Sequence, residues 1–268
     1  EEIKMYRDNP RTAIFEQIER NLFGPPFGNL IIGSKETVSA LQRDFVAQYF
    51  EKMYSPENYI VTIVGKANFN KACSYFEKKF KRGNRKPQLQ KIKNKNGHTI
   101  EKRPGIDQAH LVFAMHGPLP NKKDFYALQV LDAYLASGMS SRLFLEIREK
   151  RGLAYTVASS IDAEKSYSTY AIYVGTTKQA IEEVKSIILK EFQAVTQMTE
   201  KNLKEAKERL IGLKKVLSEE SINTMSQLMY SELTGNAKEY YEFDKKINDV
   251  KLQEIKSLSK SLIKDHIT

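Results

Sequence analysis

Arg148-Glu149-Lys150-Arg151-Gly152-Leu153-Ala154-Tyr155 joins a charged, helix-forming run to an apolar, strand-forming one. An Arg and a Tyr stand seven residues apart across that hinge. They place a planar multi-donor cation and a phenolic hydroxyl where both can grip an extended peptide. Upstream, Gly138-Met139-Ser140-Ser141 leads into a helix expected over Arg142–Lys150, with Ser140 or Ser141 as its cap. Before that, residues 125–136 read as a helix whose Leu128, Leu131 and Leu135 share a face. Downstream, Tyr155–Ile161 and Tyr167–Val174 read as a strand pair. Gln108–His116 is a further strand, with Leu111, Phe113 and Met115 alternating against His110, Val112 and Ala114, and Thr99–Arg103 a shorter one. Helices are expected at about 177–195, 199–217, 219–233 and 250–264.

The amino-terminal part has its own order. Ile14, Ile18 and Leu22 recur at helical spacing behind an Asp8-Asn9-Pro10 start, and residues 1–7 read as the end of a preceding helix. Gly24-Pro25-Pro26-Phe27-Gly28 is a loop by composition. Residues 36–53 carry an amphipathic pattern of Val38, Leu41, Phe45, Tyr49 and Met53. Tyr59-Ile60-Val61-Thr62-Ile63-Val64-Gly65 reads as a central strand, and residues 68–80 as a helix. Residues 82–97 then turn polar and basic, as a linker would.

Strands adjacent in sequence pair antiparallel, and the helices segregate, so the fold class is α+β. A helix with an acid-apolar step, Asp44-Phe45 and Glu254-Ile255, closes each half, which suggests tandem repeats. The expected division is 1–86 for the latter part of a first domain, 87–98 for a linker and 99–268 for a second domain. The first repeat is expected to be incomplete, and the second to lack its last strand and helix.

Hydrophobic residues make up 41% and charged residues 28% of the 268, an ordinary globular balance. No apolar run reaches the roughly 18 residues of a membrane span, and no signal segment opens the chain, so the expectation is a cytoplasmic protein without membrane contact. One cysteine, Cys73, excludes an internal disulfide framework and is expected to pack on a helix. The net charge of +10 raises nucleic-acid binding as an alternative. The basic residues are dispersed outside one run from Lys78 to Lys95, and aromatics are not interleaved with that run, so no nucleic-acid partner is expected.

Four segments carry a resemblance to a known family. They are Glu1 to Pro10, Ile31-Ile32-Gly33, Tyr54 to Gly65, and Ser140-Ser141-Arg142-Leu143-Phe144 through Tyr155. In order and spacing they resemble the pitrilysin/insulinase zinc metallopeptidases, near the mitochondrial processing peptidase branch. The resemblance implies two similar α+β domains, each a mostly antiparallel sheet with helices on one face. It implies zinc held by an inverted H-x-x-E-H motif and a later Glu. It also implies a peptide substrate and a homodimer or heterodimer of family members.

The H-x-x-E-H motif is absent from these 268 residues. The four histidines are His98, His110, His116 and His266; His110 and His116 share a strand face but stand about 20 Å apart, too far for one metal. By position, Glu2 ahead of Asp8-Asn9-Pro10 matches the third zinc ligand, and the alternative is a solvent-facing helix residue. Arg148 and Tyr155 match the pair that contacts the substrate carbonyl and the oxyanion. The alternative there is a surface ion pair of Arg148 with Glu149 or Glu146, and a Tyr155 packed as a strand aromatic. Arg151 reads as structural. Two functional readings follow: part of a zinc metalloendopeptidase, inactive alone without two His ligands and the general base, or a non-catalytic partner subunit of a heterodimer.

Overall fold

Asn9 opens the first well-formed helix, because its side chain accepts from the backbone N–H groups of Arg11 and Thr12 at 3.0 and 3.2 Å. Pro10 fits the next position, where no intrahelical N–H is needed. A computed structural model describes residues 1–81 and 90–268. Its elements begin with α1 (Glu2–Asp8), α2 (Pro10–Leu22), α3 (Lys35–Ser39), α4 (Arg43–Met53) and α5 (Phe69–Lys79). Then come β1 (Gln108–His116), α6 (Lys123–Leu135), a π-helix (Phe144–Glu149), β2 (Ala154–Ala163) and β3 (Ser168–Thr177). Five helices close the chain: α7 (Ile181–Ala194), α8 (Glu200–Leu217), α9 (Ser221–Thr234), α10 (Lys238–Asp249) and α11 (Leu252–Leu262). The expected boundary between residues 86 and 87, with Arg82, Arg85 and Lys86 of the basic run, lies outside the described residues.

The three strands form one antiparallel sheet in the order β1-β3-β2. Strand alternation sorts its side chains onto two faces. Phe113 and Met115 of β1 and Tyr170, Ile172 and Val174 of β3 face the main core. There they meet Leu128, Leu131 and Leu135 of α6, Ile188 and Phe192 of α7, Leu203 of α8 and Ile255 of α11. Each such fully buried apolar side chain contributes about 1.5–3 kcal/mol. On the other face Val112, Ala114, Ala171 and Tyr173 pack on Ile18 and Leu22 of α2. Ile267 adds a bridge to the outer side of β1, exchanging both backbone hydrogen bonds with Ala114 at 2.8 Å. The architecture is thus α+β, with the principal helical layer on one side of the sheet.

Several expectations need correction. Tyr59–Gly65 is extended but forms no strand: it has no ladder partner among the described residues, and Val61 and Ile63 are exposed. β-propensity needs a neighbouring strand to act on. Thr99–Arg103 is also irregular, tied instead by Thr99 N–H to the Thr268 carbonyl at 3.3 Å and by Arg103 to Glu101 at 2.7 Å. The expected helix 36–53 is two helices, broken where Gln42 takes extended backbone as the N-cap of α4. Neither Ser140 nor Ser141 caps a helix by its side chain; Ser140 Oγ instead accepts from Arg209 of α8 at 2.5 Å. Cys73 is half-buried on α5 rather than enclosed. Helix α10 was not anticipated.

Residues 93–97, within the expected linker, run along the end of α2. Gly24 N–H donates to the Lys93 carbonyl and Lys95 N–H to the Leu22 carbonyl, both at 2.8 Å. Among the described residues no helix is long and apolar enough to cross a membrane.

Candidate functional site

The helix leading into the hinge changes pitch. Lys150 N–H donates to the Leu145 carbonyl at 2.9 Å, a five-residue step, over the turn Phe144–Glu149. Such π turns widen a helix locally and recur at functional sites. Ile147 anchors the turn in the core with no exposure, and its carbonyl accepts from Leu153 N–H at 2.9 Å. Gly152 then takes φ +62°, a left-handed conformation suited to glycine, and turns the chain into β2. The β2–β3 register shifts between Ala154 and Thr156, so Tyr155 is the bulged residue.

This geometry brings Arg148 and Tyr155 together. The Arg148 guanidinium carbon lies 5.3 Å from the Tyr155 ring centre and 4.9 Å from that of Phe144. Its Nε is 3.8 Å from Glu149, a loose surface pair that leaves the fork largely free. Tyr155 is 80% exposed, so it is not packed as an ordinary strand aromatic.

Glu146 is a neighbour that sequence reasoning placed only as a possible partner of Arg148. It is engaged elsewhere. Its carboxylate pairs with Lys150 and, at 2.5 Å, with Arg151, and Arg151 also donates to the Glu146 carbonyl at 2.8 Å. Hydrogen bonds from Lys150 and then Arg151 hold the Glu146 carboxyl down at about 2. Arg151 is structural, as expected: it staples the π turn to the reversal that follows. At the other end, Arg142 pairs with buried Glu191 of α7 at 2.5 Å. The spacing of Glu146 and Lys150 was a readable signal for the first clamp; Glu191, 49 residues from Arg142, offered none.

Glu2 is not brought into this cluster. It stands in the first turn of α1, an element with no buried residue. The histidines are separately engaged. His110 Nδ1 is 2.8 Å from the Tyr173 hydroxyl, and His116 Nε2 is 3.0 Å from the Lys95 carbonyl. His98 Nδ1 is 2.6 Å from Thr268 Oγ1, and His266 Nδ1 is 3.0 Å from the Ile263 carbonyl. Among the described residues no three His, Cys, Asp or Glu side chains gather as a metal site would require.

An antiparallel three-stranded sheet backed by helices, with an exposed Arg–Tyr contact at the head of an edge strand, defines an α+β domain. The chain belongs to the M16 peptidase family: the peptidase M16 inactive domain matches residues 40–210. It is 30% identical to the uncharacterized zinc protease ML0855 of Mycobacterium leprae, covering 98% of this chain and 62% of that protein. It is 29% identical to the uncharacterized zinc protease YmxG of Bacillus subtilis, covering 98% of this chain and 65% of that one. The chain therefore spans under two thirds of the length of these relatives. In fold it is similar to the M16 inactive domain structure from Pseudomonas fluorescens, at TM-score 0.85 and 19% identity over 98% of this chain and 66% of that one. A protease structure from Helicobacter pylori gives 0.84 and 17% over 97% and 66%.

Proposed function

We propose that this chain is part of a zinc-dependent metalloendopeptidase, and that its own share of the chemistry is to hold and polarise a peptide. The observation that carries this reading is the exposed stack of Arg148 on Tyr155. A guanidinium with rings against it keeps its N–H edges for acceptors in its own plane, and a peptide carbonyl is such an acceptor. The Tyr155 hydroxyl donates to a carbonyl oxygen as negative charge builds there. The zinc proteases among the relatives support the reaction class.

The donors present in this chain do not by themselves fit a zinc ion. Glu2 is an exposed carboxylate on α1 with no His beside it, and catalytic zinc takes about three protein ligands. We assign Glu2 as the third ligand in the intact protein, beside two His and a general-base Glu from an H-x-x-E-H segment outside these residues. On this reading the chain alone is inactive. The division into 1–86, 87–98 and 99–268 belongs to the same proposal.

A second reading is a non-catalytic subunit in a homodimer or heterodimer, presenting Arg148 and Tyr155 to a companion's metal centre. The exposed contact of Arg148 with Tyr155 fits it equally well, since neither group needs a metal held by this chain. Metal analysis and peptide cleavage by the full-length protein, beside Arg148→Ala and Tyr155→Phe, test both. Stoichiometric zinc with turnover lost in both variants supports the first reading. A metal-free protein that activates a companion supports the second. Unchanged turnover in both variants removes the assignment of the pair.

A further inference from the structure

The helix before the hinge keeps ordinary four-residue bonds on both sides of its wide turn. Leu145 N–H donates to the Ser141 carbonyl and Gly152 N–H to the Arg148 carbonyl, both at 3.0 Å. Between them, Lys150 N–H passes over one carbonyl and bonds that of Leu145. The acceptor passed over is the Glu146 carbonyl, the partner Lys150 N–H would have in an unbroken α-helix. It is filled from the side, by Arg151 Nη1 at 2.8 Å. The same nitrogen donates to one oxygen of the Glu146 carboxylate at 2.5 Å, and Lys150 Nζ donates to the other. The guanidinium is thus held in place by the side chain of the very residue whose carbonyl it occupies.

Two registers compete for that acceptor, and the choice between them decides where Arg148 points. Closing the wide turn to α geometry takes one residue out of it. The chain beyond would rotate by about 100° and shift by about 1.5 Å relative to what precedes. The preceding part cannot follow, because Phe144 is buried and Arg142 is tied to Glu191 of α7. The rotation would fall on the hinge and carry Tyr155 away from Phe144. In the wide register the Arg148 guanidinium lies against both rings, at 4.9 and 5.3 Å; in the closed one it could not.

We propose that Glu146 and Arg151 are positioning residues for the peptide-binding pair: by filling the Glu146 carbonyl, Arg151 holds the turn in its wide register, and that register aims Arg148 at Tyr155. This rests on the reading of Arg148 and Tyr155 as the groups that hold and polarise a peptide. The ion pair alone does not account for the role. Partly exposed pairs of this kind are worth little by themselves, and Lys150 already supplies one to the same carboxylate. What Arg151 adds is a donor to a backbone carbonyl, from a fork with several N–H groups. Lys150 reaches the carboxylate only. The Glu146 carboxyl, held at about 2 by these two partners, keeps the staple charged throughout the neutral range.

The test uses the full-length protein with isotope-labelled arginine. The Arg148 Nε–H stands near two ring faces, so its resonance lies upfield of an ordinary arginine, and that shift reads the contact without any turnover. Quenched fluorogenic peptides of random sequence read turnover by the active assembly. Arg151→Met removes both contacts of the guanidinium. Exchanging the charges, Glu146→Arg with Arg151→Glu, restores an ion pair but leaves no side-chain donor at position 151 for the carbonyl at 146, and it keeps the question open should Arg151→Met fail to fold. In each folded variant the upfield shift should be lost and kcat/KM should fall about tenfold or more. Adding Arg148→Ala should then cost less than about twofold further, because residues that act through one contact do not add. A retained shift, or a loss that multiplies with that of Arg148→Ala, overturns this inference and leaves the Arg148–Tyr155 reading standing. A lost shift with unchanged turnover overturns both.

Discussion

Arg148 and Tyr155, seven positions apart in sequence, are drawn to 5.3 Å by a π turn, a left-handed glycine and a bulge acting in series. The contact makes the shape of the cation matter as well as its charge. Arg148→Lys keeps the charge but loses the planar fork and most of the stacking. In the full-length protein we expect peptide turnover to fall by about tenfold or more, with the thermal midpoint unchanged within about 2 °C. Wild-type turnover in this variant would show that charge alone suffices.

Glu146 gives a pH signature. Its carboxyl is held at about 2 against an ordinary value of 4.5. A carboxylate with a lowered folded value stabilises the protein above its ordinary value, and that contribution is lost as pH falls towards the folded value. Glu146→Gln removes the charge on which the Lys150 and Arg151 clamp depends. The stability gap between wild type and variant should be full at neutral pH and should close between about pH 4.5 and 2. Denaturant titrations at a series of pH values read it, and a gap independent of pH would contradict the clamp.

Glu19 on α2 works in the opposite sense. Burial, then Asp162 of β2, then Glu16 raise its carboxyl above 4.5. A raised folded value confers stability below the ordinary value that is lost as pH rises through the folded one. Glu19→Gln escapes that loss. It should melt about 2 °C higher than wild type at neutral pH, with the difference vanishing in acid. A variant that melts lower at neutral pH would show that the charge is compensated.

Phe113 tests the core. It has no exposure and lies between Phe192, at 6.2 Å, and His266, at 4.5 Å between ring centres. Phe113→Ala should cost about 3–5 kcal/mol by emptying the junction of β1, α7 and the carboxyl-terminal segment. Equilibrium unfolding measures it, and a loss under about 1 kcal/mol would mean the neighbours collapse into the space.

The legible parts of the fold were those whose signal is local. Leu111, Phe113 and Met115 alternate, and β1 forms there; Leu128, Leu131 and Leu135 recur, and α6 forms there. Tyr59–Gly65 has equal strand propensity, yet a strand exists only beside another, and no partner is found among the described residues. Helix α10 was readable in principle from Tyr240, Phe243 and Ile247, but the charged residues between them obscured the period. In the candidate site, Arg148 and Tyr155 were visible because their spacing spans a helix-to-strand hinge. The contact of Arg148 with Phe144 depends on the π turn, and the clamp of Arg142 on Glu191 depends on tertiary packing; neither is encoded in any short window.

The bulge at Tyr155 has a practical corollary. A side chain carried outside the regular ladder can change size or polarity without dragging neighbouring rungs along. Position 155 therefore uncouples chemistry from folding, and an array of replacements there would report on what the phenol contributes with the scaffold held constant.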